Sequence, residues 1–556
     1  MHDRADADGV DLLLIDTGDR IEGNGLYDGS EPKGLYTFDI FREQHIDLIC
    51  SGNHELYMQN SSENEFYKTV PNFRGNYLAS NLDIYSPDTG DLEPLAPRFK
   101  KFTTKNQGIR ILAFSFLFDF QGNANNTVVM PVERTVEEDW FQEAIRDRDV
   151  DLIIVFGHVA VRSKEYNILF KTIRSVQWDT PLQFFAGHTH IRDYKIYDRK
   201  SAAIESGRYM ETIGFMSIDG LEAGGKANDT AKHELTVPQR ADPTFSRRYI
   251  DNNLFSLYHH SSKNSSTFPT AHGLNVSLSI ASARKHLKLD TTYGCAPHDL
   301  WANRAPFPSK QSIFSWLQDD VLPSLKDDKR MDKPALIITN TGAMRFDIFA
   351  GPFTKDTEFL VSPFTSGLRF IKDVPYSAAS RVLAILNSEG PIMDRVEEET
   401  GLEAWMLVPP EQVGRDAAAA ESTMRDWRSS DTRGQAPLGG EQTLTPGYTT
   451  RDDAGTDGDD TLHSPITFYN VPNCIQAAVG FTESTAEASD VDHDQPETVD
   501  VVFNEFIQSW VLLALEFLGQ KYDSADTAAY MEGKSFTDMI TDWVREHWSV
   551  EGEHCP

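Results

Sequence analysis

Residues 12–19 read Leu12-Leu13-Leu14-Ile15-Asp16-Thr17-Gly18-Asp19, an apolar run that ends abruptly in a glycine and a carboxylate. A short apolar run bounded by a turn signal is the mark of a buried strand, here spanning 10–16. The same design recurs three times downstream. Residues 46–50 lead into Gly52-Asn53-His54-Glu55, residues 151–156 into Gly157-His158, and residues 182–186 into Gly187-His188-Thr189-His190. Residues 35–43 and 132–148 carry apolar positions at helical spacing, the second with acidic residues leading and basic residues trailing as the helix dipole prefers; residues 109–116 read as a further strand. Strands interleaved with helices indicate an α/β domain, and in an open α/β sheet ligands bind in the crevice at the carboxyl ends of the strands. The four clusters converge there.

What converges is chemically uniform. Asp19, Asn53, His158, His188 and His190 offer oxygen and nitrogen donors that suit manganese, iron, zinc or similar divalent ions. A glycine before each of Asp19, Asn53, His158 and His188 lets the backbone turn sharply and approach the site. Two such ions about 4 Å apart can hold a phosphate, lower the pKa of a bridging water and stabilise attacking and leaving oxygens together.

These motifs resemble those of the calcineurin-like metallophosphoesterases, and within them the branch of secreted 5'-nucleotidases and UDP-sugar hydrolases. The match comprises Gly18-Asp19 followed by Gly23-Asn24-Gly25, then Gly52-Asn53-His54-Glu55, Gly157-His158 and Gly187-His188-Thr189-His190. The resemblance implies a sandwich of mixed β-sheets flanked by helices, two divalent ions in the full-length protein, and hydrolysis of a small phosphate ester by metal-activated hydroxide. It implies that Asp19 bridges the ions, that Asn53, His158 and His188 complete one site, that His190 belongs to the other, and that His54 is catalytic, stabilising charge on the phosphoryl group or leaving oxygen. Two positions depart from the family. Its opening Asp-x-His motif, which supplies further ligands of the second ion, is absent; residues 1–8 read as the end of a helix leading from that strand, so a truncated start holding one ion is expected. Tyr57 stands where these nucleotidases often place the aspartate that orients the catalytic histidine.

A second domain is expected from length, because 556 residues exceed what one hydrophobic core supports. Polar residues 222–248 read as a connector between a metallophosphoesterase domain, 1–221, and a companion α/β substrate domain, 249–556. In the latter, a helix is expected at 313–325, strands at 335–339 and 501–506, and a helix at 510–518; 410–464 and 483–500 read as disordered insertions. Asn340-Thr341-Gly342-Ala343-Met344-Arg345, with Gly351 and Pro363-Phe364, is similar to the family's substrate-domain signature. The resemblance implies that Asn340 and Arg345 contact substrate, Arg345 clamping phosphate, and that Phe364 stacks on a base. The loop expected to carry a second stacking aromatic is replaced by Gln508-Ser509-Trp510-Val511.

The formal charge of −33 argues against nucleic acid as a partner, and no apolar run approaches the ~20 residues that span a bilayer. Cys50, Cys295, Cys474 and Cys555 are too few and scattered for a disulfide scaffold or zinc knuckle and do not report the compartment. Asn-x-Ser/Thr triplets at Asn60, Asn125, Asn228, Asn264 and Asn275 point to a glycoprotein of the secretory pathway, extracellular or vacuolar, although the first residues contain no apolar signal segment. Three readings stay open: a nucleoside 5'-monophosphate hydrolase, a phosphatase or phosphodiesterase acting on another phosphorylated metabolite, and an inactive or binding-only fragment lacking the Asp-x-His ligands.

Overall fold

The computed structural model describes residues 1–224, 242–364, 366–388, 404–413, 458–459, 468–482, 495–548 and 555. Within these, one compact unit draws on 1–21, 38–279 and 458–459, and a second on 22–37, 280–413 and 467–556. Residues 22–37, with the Gly23-Asn24-Gly25 motif, thus belong to the second unit, where the Gly25 N–H donates to Asp356 Oδ1 at 3.0 Å.

The first unit is built on a six-stranded mixed sheet ordered Arg192–Asp198, Ser201–Ser206, Leu182–Ala186, Leu152–His158, Arg110–Leu117, Phe99–Thr103. Leu152–His158 runs parallel to both its neighbours and is buried at every position, as expected of a central parallel strand with both faces covered. Ile111, Ala113, Ile154 and Phe156 pack with Leu48, Cys50 and Leu78, fastening the short parallel pair Ile15–Asp16 and Leu48–Ile49 onto the sheet.

Several elements are shorter than predicted. The strand read at 10–16 is reduced to Ile15–Asp16, because the Leu14 N–H donates to the Asp47 carboxylate at 2.8 Å and not to a neighbouring strand. The helix read over 132–148 splits into Val132–Thr135 and Asp139–Ala144, since Glu138 adopts an extended backbone between them. Residues 244–251, read as the end of the connector and the start of the second domain, form the strand Thr244–Asp251 antiparallel to Thr212–Asp219. The two expected insertions, 410–464 and 483–500, lie largely outside the described residues.

In the second unit, a five-stranded sheet is ordered Cys474–Val479, Ala335–Asn340, Thr498–Asn504, Leu368–Pro375, Thr527–Tyr530. Alternate residues of Ala335–Asn340 enter different cores. Ala335 and Ile337 join a cluster with Trp316, Trp543 and Trp548, while Leu336 and Ile338 face Trp510 and Val511 of the helix Gln508–Phe517. Period-two alternation between two apolar faces is what a strand sandwiched by two layers requires. The helix expected at 313–325 begins as Ile313–Trp316 but loosens into a π turn and a 3-10 turn, the latter containing Pro323, which has no N–H to donate. Cys295 and Cys555 form a disulfide across 260 residues, a pairing that cysteine spacing does not reveal; Cys50 and Cys474 are buried free thiols.

Candidate metal centre

Asp19, His158 and His188 come together at the carboxyl ends of the strands that precede them. Asp19 Oδ2 lies 2.9 Å from His158 Nε2, which lies 3.2 Å from His188 Nδ1, and the three donor atoms fall within 4.8 Å of one another. Ligands at about 2.1 Å from an ion with octahedral angles are separated by about 3.0 Å, so two of these separations match adjacent corners of one coordination sphere. Asn53 is 3% exposed, and its Oδ1 is buried with no hydrogen-bond partner among the described residues. A buried acceptor is costly without a partner, and an ion is a chemically suitable one for an amide oxygen. The residues present therefore fit a divalent ion.

Each candidate ligand is oriented by a neighbour. His158 Nδ1 is 2.9 Å from the Thr17 carbonyl; donation there leaves the Nε2 lone pair for the centre. The Asn53 Nδ2 donates to the Tyr57 hydroxyl at 3.1 Å, which commits the amide oxygen to the opposite direction. His188 stacks on Phe118 with ring centroids 4.4 Å apart. Thr189, between the two histidines of its motif, donates both its backbone N–H and its hydroxyl to Glu205 Oε1, at 2.9 and 2.6 Å. Burial pushes the Glu205 carboxyl well above the usual range.

Asp19 has a left-handed backbone, φ 58°, which is strained for a residue with a side chain. Glu55 holds it there. This fully buried carboxylate accepts the N–H groups of Asp19, Arg20 and Gly52 at 3.0, 2.6 and 2.7 Å, while Asp19 Oδ1 in return accepts the N–H of His54 at 2.9 Å. Gly52 is obligatory, because a Cβ at that position would sit 2.1 Å from Asp19 Oδ1. Arg20 closes the arrangement from below, donating to Asp16, Glu65 and the Cys50 carbonyl. Sequence reasoning assigns no site role to Glu55, Arg20, Glu65 or Glu205, because the burial of their charges is a tertiary property.

Burial acts to raise the Asp19 pKa, but His158 and His54 outweigh it and hold the carboxyl well below its usual range. His54 Nε2 is 3.9 Å from Asp19 Oδ2 and its ring meets the Tyr57 ring edge-on at 5.2 Å. His190, φ 58°, rests against Tyr209 at 5.4 Å and is outside the Asp19, His158, His188 group.

In the second unit, Arg345 Cζ lies 5.0 Å from the centroid of the half-buried Phe364 ring. The Asn340 amide is engaged internally, accepting from Asn504 at 2.8 Å and donating to the Leu407 carbonyl at 3.2 Å. Trp510 is 1% exposed and belongs to the core, whereas Phe506 is 38% exposed.

Residues 2–192 match the family model described as calcineurin-like phosphoesterase, and residues 299–512 that described as NAD nucleotidase, C-terminal domain. An uncharacterised protein of Schizosaccharomyces pombe is 36% identical, the match covering 99% of this chain and 86% of that protein. A protein of Arthroderma benhamiae described as secreted is 34% identical, covering 100% of this chain and 86% of its own. The crystal structure of a 5'-nucleotidase from Candida albicans superposes with a TM-score of 0.79 at 35% identity, covering 98% of this chain and 91% of that one.

Proposed function

We propose, since the chain belongs to the calcineurin-like phosphoesterase family and carries a nucleotidase-type C-terminal domain, that its substrates are nucleoside 5'-monophosphates. It is a hydrolase of phosphate esters that uses divalent metal. The observation that carries the site assignment is the meeting of Asp19, His158 and His188, to which the buried, unsatisfied Asn53 oxygen is joined as a fourth donor. In this reading those four residues would hold one ion, and His190, outside that group, would serve a second only where further ligands join it. Bound there, an ion would supply Lewis acidity toward a phosphoryl oxygen and lower the pKa of a water.

His54 is the proposed catalytic residue. Its backbone is fixed by the Asp19 carboxylate and its ring by Tyr57, so its imidazolium would donate a proton to the departing oxygen, or balance charge developing there. Arg345 and Phe364 are the proposed substrate contacts of the second unit; the buried Asn340 amide is already engaged by Asn504 and the Leu407 carbonyl. A guanidinium paired with an aromatic ring supports a nucleotide, because one suits phosphate oxygens and the other a base. The burial of Trp510 favours a second reading, a phosphatase or phosphodiesterase with a different leaving group, since it removes one aromatic from base stacking.

Steady-state kinetics with AMP and p-nitrophenyl phosphate separate the two. Phe364→Ala should raise KM for AMP by roughly 5- to 150-fold, the worth of one stacked base at about 1 to 3 kcal/mol, and leave the small ester nearly unchanged. Equal effects on both substrates would assign the generic phosphatase reading. Secretory localisation is proposed as well. The Cys295–Cys555 disulfide, the relative described as secreted, and the exposure of Asn60, Asn125, Asn264 and Asn275 support it; Asn228 lies outside the described residues.

A further inference from the structure

A second group of metal-ligand side chains lies at the other ends of the strands that deliver Asp19 and Asn53. Ile15–Asp16 pairs in parallel with Leu48–Ile49; catalytic ligands follow their carboxyl ends, while Leu14 and Asp47 precede their amino ends. There Asp47 stands between two imidazoles. His45 Nε2 is 3.3 Å from Asp47 Oδ1, His2 Nε2 is 3.6 Å from Asp47 Oδ2, and the His2 and His45 rings meet at 5.3 Å, nearly perpendicular. One donor atom from each of the three falls within 4.8 Å of the others.

We propose that His2, His45 and Asp47 form a structural zinc site. Tetrahedral ligands about 2.05 Å from zinc stand about 3.3 Å apart, which the separation of His45 Nε2 from Asp47 Oδ1 meets, while His2 Nε2 approaches the other oxygen of the same carboxylate at 3.6 Å. The donor set, two imidazoles and one carboxylate, leaves a fourth position for water and suits zinc better than the hard ions that prefer all-oxygen shells. Two independent observations point the same way. The His2 Nε2 atom is shielded from solvent and has no hydrogen-bond partner among the described residues, although its ring is partly exposed. The helix His2–Asp8 that carries it buries no side chain, so hydrophobic packing does not hold it. Its described attachments are polar, from Lys105 and Asn106 to Asp6 and from Arg4 to the His260 carbonyl. An ion shared by His2, His45 and Asp47 would fasten that helix to the turn before Leu48. The Asp47 carboxylate is already fixed for the task, since its Oδ2 also accepts the Leu14 N–H at 2.8 Å.

The test uses the full chain after dialysis against a weak chelator and reloading with zinc, scored by zinc content, thermal unfolding and hydrolysis of p-nitrophenyl phosphate. His45→Ala and His2→Ala are the variants, because Asp47 also supports Leu14 and its loss could perturb the fold. Each should lower zinc content by about one ion per chain and abolish part of the zinc-dependent rise in Tm, with turnover unchanged. Cobalt reloading of an Asp19→Asn, His158→Ala background should still give the intense visible absorption of tetrahedral cobalt, lost on adding His45→Ala. Zinc content and Tm response equal to the unsubstituted chain in both single variants would overturn the proposal, as would a cobalt spectrum insensitive to His45.

Discussion

Replacing Glu55 with glutamine should disable the metal centre without touching any ligand. The carboxylate accepts three backbone N–H groups, two at Oε2 from Asp19 and Gly52 and one at Oε1 from Arg20. An amide keeps one acceptor oxygen. If that oxygen stays with Asp19 and Gly52, the Arg20 N–H faces an NH2 group, and a buried donor left unsatisfied costs about 1 to 3 kcal/mol. The two surviving bonds weaken as well, since hydrogen bonds to a charged acceptor contribute roughly 1.5 to 3 kcal/mol against about 1 for neutral partners. Part of this is returned, because burial raises the Glu55 pKa and a neutral side chain escapes that penalty. The net expectation is a loss of about 2 to 4 kcal/mol from the first unit. The left-handed Asp19 backbone, no longer over-determined, relaxes away from His158 and His188, and misplaced support of a ligand typically lowers metal affinity about 10- to 100-fold. Urea unfolding and manganese or zinc titration by calorimetry measure the two effects. Unchanged metal affinity in Glu55→Gln, with the fold intact, would refute the argument that this carboxylate sets the ligand geometry.

Tyr57→Phe removes the acceptor of the Asn53 Nδ2 and frees the amide to rotate, so metal affinity should fall roughly 10-fold with little change in Tm; a calorimetric Kd equal to the parent's would contradict this. His54→Ala should lower kcat by about 100-fold or more at saturating metal while metal content stays near normal, and loss of metal in that variant would contradict its assigned role. Glu358 offers a pH test in the second unit. Burial and the neighbouring Asp538 push its pKa from the ordinary 4.5 up to about 7. The unfolded chain releases this proton first, so stability declines as pH rises from about 4.5 to about 7 and is flat above. Glu358→Gln should therefore stabilise the unit by about 1 to 3 kcal/mol at pH 8, after allowance for partial exposure, and have little effect at pH 4. Equal gains at both pH values in urea unfolding would rule out ionisation as the cause.

The short-range features of the protein are legible in the amino-acid sequence. Each proposed ligand lies at the end of its strand or within four residues of it, so the apolar run and the donor travel together along the chain. The strands at 182–186 and 335–340 lie almost where the apolar pattern puts them, because a strand covered on both faces reads as a largely apolar run whatever surrounds it. Element lengths are less legible. Leu12 to Leu14 are as apolar as Ile15, yet whether they join a ladder depends on Asp47, whose carboxylate takes the Leu14 N–H.

The α/β class, the order of the four strand ends that carry candidate ligands and the residue types of the proposed metal site follow from the amino-acid sequence alone, because they depend on period and on chemistry carried by neighbouring positions. Which groups support that site is a property of the folded chain. Glu55 reaches Asp19 across 36 positions, Glu205 reaches Thr189 from another strand, and Tyr57 turns toward the Asn53 amide. The tertiary structure also joined Cys295 to Cys555 across 260 residues and brought His2 to His45 and Asp47. Such contacts depend on how strands register and how loops close in three dimensions, and neither period nor composition encodes the distance between residues that the chain itself keeps far apart.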